Sequence, residues 1–167
     1  DCCSSYDTGD RSPGLLHDVT GSGKTEGYMA MIDHVLKQQE RVIGLIPEIA
    51  LTYQTVSRFY SRFGGRICVM HSRLSAGEKC DQFELAIKGE TDIRIGARSA
   101  LFTPFPNLGL IILDEEHEGA YKSETTPRYH AREVAEKLAE LNEAAFVMGS
   151  ATPSVEAYAK AQAGIYR

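Results

Sequence analysis

Short apolar runs alternate along this chain with longer segments in which apolar residues return every three or four positions. The runs fall at 15–19, 42–46, 66–70, 92–96, 108–113 and 145–148, each bounded by Gly, Pro or charge. Runs this short and this uniformly apolar predict strands covered on both faces. The segments at 24–39, 49–63, 76–88, 131–142 and 154–164 predict helices. In the second of these, Tyr53, Val56, Phe59, Tyr60 and Phe63 recur at helical spacing and read as a core-facing stripe. Ser75 followed by Glu78 predicts a capping box at the start of the third. Strand–helix alternation of this kind predicts an α/β domain with a mostly parallel, doubly wound sheet and helices on both faces. Ligands of such sheets bind outside the carboxyl ends of the strands.

Composition narrows the picture. A chain of 167 residues, 43% apolar, is long enough to bury the core of one such domain. The formal charge of -5 does not advertise nucleic acid, so any such contact must be a local groove. Cys2, Cys3, Cys68 and Cys80 form no C-x-x-C pair, which argues against a zinc ribbon and a disulfide framework; no zinc site is expected here. Cys68, inside an apolar run, reads as a buried thiol. No run is long enough to span a membrane and no signal peptide is visible, so a cytoplasmic setting without a membrane partner is expected. Residues 1–14 are polar and turn-rich and read as a flexible lead-in to a domain at 15–167. With no initiator Met and an end shortly after the last motif, the chain reads as a piece of a longer protein.

Three segments carry the chemistry, and each follows a predicted strand. The first is Thr20-Gly21-Ser22-Gly23-Lys24-Thr25, which opens a helix. Its glycines allow backbone N–H groups to wrap phosphate oxygens, Lys24 reaches the β/γ-phosphates of ATP, and Thr25 ligates Mg²⁺. The pattern departs from G-x-x-x-x-G-K-[ST] at one place, because Asp18 stands where the first Gly belongs. The second segment, Asp114-Glu115-Glu116-His117, follows an apolar strand. Asp114 is assigned to the metal and Glu115 to orienting or deprotonating the attacking water. In the third, Ser150 and Thr152 read as hydroxyls on a turn, linking through His117 to the nucleic-acid side; Thr152-Pro153-Ser154 also reads as a helix N-cap. Beyond these, Tyr121, Lys122, Arg128, Tyr129, His130 and Arg132 interleave aromatic and basic residues, a mixture suited to unpaired bases.

With these segments in this order, the chain resembles the superfamily-two helicases, and among them the bacterial replication-restart helicases. The likeness rests on 20–26, 47–52, 71–72 with 74–75, 96–102, 104–117, 121–122, 127–132 and 149–154. It implies a RecA-like P-loop domain, the first of two helicase lobes, that uses ATP and Mg²⁺ to move 3′ to 5′ on single-stranded or forked DNA. It implies further partners: the second lobe and DNA-binding domains of the longer protein, and primosome proteins. By resemblance, Pro47, Thr52, Arg98 and Ser99 belong to DNA-contacting motifs, and 121–132 matches a loop linking DNA binding to ATP turnover. Gly27 and Ala97 depart from the family's usual aliphatic residue and Thr, and no adenine-recognising Gln segment precedes Leu15. The alternatives are another superfamily-two translocase, or a degenerate binding module in which Asp18 has disabled the loop.

Overall fold

The computed structural model describes residues 7–17 and 21–166. Six strands are present: β1 (Gly14–His17), β2 (Arg41–Leu45), β3 (Ile67–Met70), β4 (Ile93–Gly96), β5 (Leu108–Asp114) and β6 (Ala145–Ser150). Among the described residues these strands are interspersed with five α-helices, α1 (Gly21–Lys37), α2 (Tyr53–Phe63), α3 (Ala76–Ile87), α4 (Ala131–Asn142) and α5 (Val155–Gln162), while β4 and β5 are joined through the 3-10 turn Arg98–Phe102. The strands form one sheet in the order β1-β6-β5-β2-β4-β3, and every pairing is parallel. The predicted doubly wound α/β architecture is what the chain adopts.

Alternation along the strands divides the core in two. Val42, Leu110, Ile112 and Val147 face one side, where Met29, Ile32 and Val35 of α1 and Phe59 and Phe63 of α2 cover them. Ile43, Leu45, Ile111, Leu113, Phe146 and Met148 face the other, under Ala131, Ala135 and Ala139 of α4 and Ala157 of α5. The period of two explains both faces at once, since neighbours along a strand point to opposite sides. Small alanines on α4 let that helix approach the sheet closely.

Most element ends agree with the sequence, and the exceptions have local causes. The second helix does not run from residue 49. Residues Glu48–Ala50 form a separate 3-10 turn, and Thr52 caps α2 by accepting a hydrogen bond from the Thr55 N–H at 3.2 Å. The stripe on α2 is accordingly only half core: Phe59 and Phe63 are buried, whereas Tyr53 and Tyr60 are exposed and Val56 is partly covered. The fifth helix is capped by Ser154, not Thr152; the Ser154 hydroxyl accepts from the Ala157 N–H. Strand β6 continues through Gly149 and Ser150, so Ser150 lies on the strand rather than on a turn. Helix α1 starts at Gly21, three residues earlier than periodicity suggested, because Gly-Ser-Gly carries no apolar signal. Cys68 is buried as expected. Asp18 and Thr20, together with Cys2 and Cys3, lie outside the described residues.

The capping box of α3 is complete: Ser75 Oγ accepts from the Glu78 N–H, and Glu78 accepts from the Ser75 N–H at 2.8 Å. Ser75→Ala removes one half of it and is expected to lower stability by about 0.5–2 kcal/mol. Urea unfolding should show a lower midpoint with an unchanged slope.

Candidate functional site

Three strand ends meet at the carboxyl edge of the sheet. Strand β6 lies between β1 and β5, with Gly149 in register with Leu16 on one side and Asp114 on the other. The helix that follows β1 must therefore cross the end of β6 to reach β5. It does so through its first two turns.

Lys24 is buried, and its ammonium donates to Glu115 Oε1 at 2.5 Å while lying 3.5 Å from Asp114 Oδ1. Burial works against the charge on Lys24, but the hydrogen bond to Glu115 and the charges of Asp114 and Glu115 outweigh it and raise its pKa. One helical turn further on, the buried Tyr28 hydroxyl donates to Asp114 Oδ1 at 2.7 Å. Burial, then the neighbouring Asp114 charge, pushes the Tyr28 phenol well above its usual pKa. Glu115 takes a left-handed backbone, φ 51°, which turns it away from the line of β5. Thr25, on the first turn of α1, is partly exposed.

The next acid points elsewhere. Glu116 is 2% exposed and is held by Arg132 Nη1 at 2.5 Å, by the Ser154 hydroxyl at 2.7 Å and by the Ser154 N–H at 3.1 Å. Arg132 also meets Glu156 at 2.7 Å. His117 Nδ1 lies 2.8 Å from the Ser150 hydroxyl, and Ser150 accepts from the Thr152 N–H at 3.2 Å. The acidic segment is thereby tied to α4, to the start of α5 and to the end of β6.

Several residues read from the sequence as DNA contacts are placed differently. Arg132 is buried in the ion pair with Glu116, so it offers no charge to a phosphate. Tyr121 is 1% exposed, with its hydroxyl 2.6 Å from the Asp114 carbonyl and 3.0 Å from that of Leu45; it braces β5 against β2 and has no free face for a base. Pro47 and Ser150 are buried too. Thr52, Ser99, Lys122, Arg128 and Thr152 are exposed, and Arg98 and Tyr129 are half-buried. Arg98 donates to the Lys122 carbonyl at 2.8 Å and sits 5.4 Å over the Tyr129 ring, against which Phe102 packs edge-on at 5.5 Å. The basic and aromatic residues that reach the surface thus gather around Arg98 and Tyr129.

Sequence reasoning gave no role to Tyr28, Glu116 or Phe102. Tyr28 had a usable signal, since it stands four residues after Lys24 and shares its helix face. Glu116 had none, because its partner lies sixteen residues away across an irregular loop.

The donor set suits a nucleotide-bound Mg²⁺. Among the described residues no three His, Cys, Asp or Glu gather as a metal cluster. Mg²⁺ is bound through one or two carboxylates plus phosphate oxygens rather than by an all-protein cage. The described hydrogen bonds to Asp114's side chain fall on Oδ1.

Comparison with known proteins agrees with this geometry. The DEAD/DEAH box helicase family matches residues 13–161, and the chain belongs to that family. Among characterised sequences it is similar to the replication restart protein PriA of Bacillus subtilis (strain 168), with 56% identity over 152 residues, covering 91% of this chain and 19% of that protein. The protein of the same name from Synechocystis is 52% identical over 145 residues, covering 86% of this chain and 17% of its own length. This chain therefore spans about a fifth of the relatives it matches. In fold it resembles RecG bound to a three-way DNA junction (TM-score 0.64, 21% identity, 97% of this chain and 22% of RecG). It also resembles the DUF1998 helicase MrfA (TM-score 0.66, 19% identity, 98% of this chain and 28% of MrfA). The fold is thus RecA-like, as in these helicases.

The Glu116–Arg132 pair yields a stability test. Burial opposes the Glu116 charge, but the bonds from Ser154 and Arg132 outweigh it and hold the carboxyl below the usual 4.5. A depressed folded-state value contributes stability that is complete above the unfolded pKa and is lost as pH falls through the folded one. Glu116→Gln should therefore flatten the acid limb of the stability profile below about pH 4.5. At neutral pH Arg132→Met should cost about 3–5 kcal/mol by stranding a buried carboxylate. Chemical unfolding across pH checks both.

Proposed function

We propose that this chain is the ATP-binding first lobe of an ATP-dependent 3′-to-5′ DNA helicase acting in replication restart. The observation that carries the reading is the meeting of Lys24, on the first turn of α1, with Asp114 at the end of β5 and Glu115 just after it. Phosphate binding, metal holding and water activation fall on three adjacent side chains. Similarity to PriA proteins supports the replication-restart assignment, and the full activity belongs to the longer protein with its second lobe and DNA-binding domains. Primosome proteins are its proposed partners and the cytoplasm its proposed setting.

The chain's own residues divide the work as follows. The start of α1 presents N–H groups and the positive end of the helix dipole to the phosphates. Lys24 moves from Glu115 towards the β/γ-phosphates, because a polyanion competes with a carboxylate for the same ammonium. That shift frees Glu115 to accept a proton from, or orient, the attacking water. Asp114, with Thr25, holds Mg²⁺, whose charge neutralises phosphate oxygens when it is bound. His117 and Ser150 connect this centre to Thr152 on the surface. On the DNA side, Arg98, Lys122, Arg128 and Tyr129, with Phe102 alongside, offer charge to phosphates and rings to bases.

The roles separate experimentally in the two-lobe protein. Glu115→Gln should nearly abolish hydrolysis and leave ATP binding intact, whereas Lys24→Ala should weaken binding itself. Normal turnover by Glu115→Gln would remove Glu115 from the mechanism. The resemblance implies an arginine finger on the second lobe, and such a residue contributes ~10³–10⁵ in rate in other phosphoryl-transfer enzymes, so the 167-residue chain alone should hydrolyse ATP feebly.

The surface group gives a further test. Replacing Arg128 and Tyr129 together with Ala should lower single-stranded-DNA stimulation of the ATPase and raise the DNA concentration needed for half-stimulation. A stacked base contributes about 1–3 kcal/mol by alanine substitution, enough to be visible. Basal rate should change much less. Full stimulation at unchanged half-saturating DNA would make the loop structural.

A further inference from the structure

We infer that Tyr28 is a positioning residue for the metal-holding carboxylate, and that Gly149 makes its reach possible. The inference rests on the nucleotide-site reading above and adds residues to which that reading gives no role.

Three observations carry it. Tyr28 is 2% exposed, and its hydroxyl is committed to Asp114 Oδ1 at 2.7 Å. The Lys24 ammonium approaches the same oxygen at 3.5 Å, so both contacts from α1 draw on one side of the carboxylate. At Gly149, a Cβ would overlap the Tyr28 hydroxyl oxygen and stand 2.9 Å from Cζ and 3.3 Å from Asp114 Oδ1. The phenol therefore occupies the volume that a side chain on β6 would fill, and reaches Asp114 across the intervening strand.

A ligating carboxylate is a useful metal ligand only when its rotamer is fixed before the metal arrives. Hydrogen bonds from neighbouring groups commonly provide this, and their loss costs ~10–100-fold in metal affinity or activity. A tyrosine suits the task here because its phenol offers a single O–H, committed to Asp114 Oδ1. It donates without adding charge beside Lys24. With Oδ1 engaged by the phenol, the remaining oxygen is directed by a fixed plane rather than by a freely turning χ2.

The test measures binding rather than turnover. ATP affinity is measured by calorimetry as a function of Mg²⁺ concentration, for the unsubstituted two-lobe protein and for Tyr28→Phe, which removes one oxygen atom. The half-saturating Mg²⁺ should rise about tenfold in the variant, while affinity for ATP in EDTA and the melting temperature stay close to the original. Gly149→Ala should shift the Mg²⁺ requirement in the same direction, and the shift should shrink when Tyr28→Phe is present, because the overlapping oxygen is gone. Unchanged Mg²⁺ dependence in Tyr28→Phe overturns the inference. So does an equal loss of affinity with and without Mg²⁺, which would mean that the phenol supports the whole loop. If the unsubstituted protein bound ATP with no metal dependence, the nucleotide-site reading itself would fall first, and the two failures are thus told apart.

Discussion

Holding two carboxylates side by side at the tip of a buried strand is unfavourable unless a cation or strong donors stand beside them, and the carboxyl edge of this sheet is organised around that constraint. Asp114 and Glu115 end β5, which is flanked on both sides by other strands. Lys24 answers both at once, and Tyr28 adds a neutral donor to Asp114. Like charges at such separations repel strongly in a medium of low polarisability. From the helix after β1 one ammonium meets both acids.

The same constraint explains how four successive polar residues serve different ends. A straight continuation of the strand would send alternate side chains to opposite faces. The left-handed turn at Glu115 breaks this alternation, keeping Glu115 by Lys24 while Glu116 enters the core between α4 and α5. There its charge is balanced by Arg132, whose other nitrogen holds Glu156 at the start of α5. His117 turns to Ser150. The contact with Lys24, the packing against α4 and α5 and the link to Thr152 thus diverge from one short segment.

Much of this was legible in the sequence, and the failures are instructive. Buried parallel strands announce themselves as apolar runs, so all six were foreseen, and the proposed site lies at their carboxyl ends. That Lys24, Asp114 and Glu115 come together was readable because each sits at a fixed offset from a strand. Arg132 and Tyr121 misled because an aromatic–basic mixture looks the same whether it faces solvent or the interior. Only the partner decides: a buried Glu116 for Arg132, and two strand carbonyls for Tyr121. The α2 stripe misled for a related reason. Periodicity shows that residues share a helix face; it does not show how far the covering sheet extends, and Tyr53 and Tyr60 lie beyond that cover.

The divergence of side chains between Asp114 and His117 also bears on which changes in chain length the protein can absorb. One residue inserted there would not slide a uniform surface by a step. Placed between Glu115 and Glu116, it would bring a carboxylate against Ser150 in place of His117 and leave Arg132 facing the added residue instead of an anion. The run from Glu124 to Arg128 is exposed throughout, and added residues there would extend into water. Tolerance of added length in this chain is therefore set here by charge placement more than by the sheet, with a four-residue segment held by its partners and an exposed loop in the same connection.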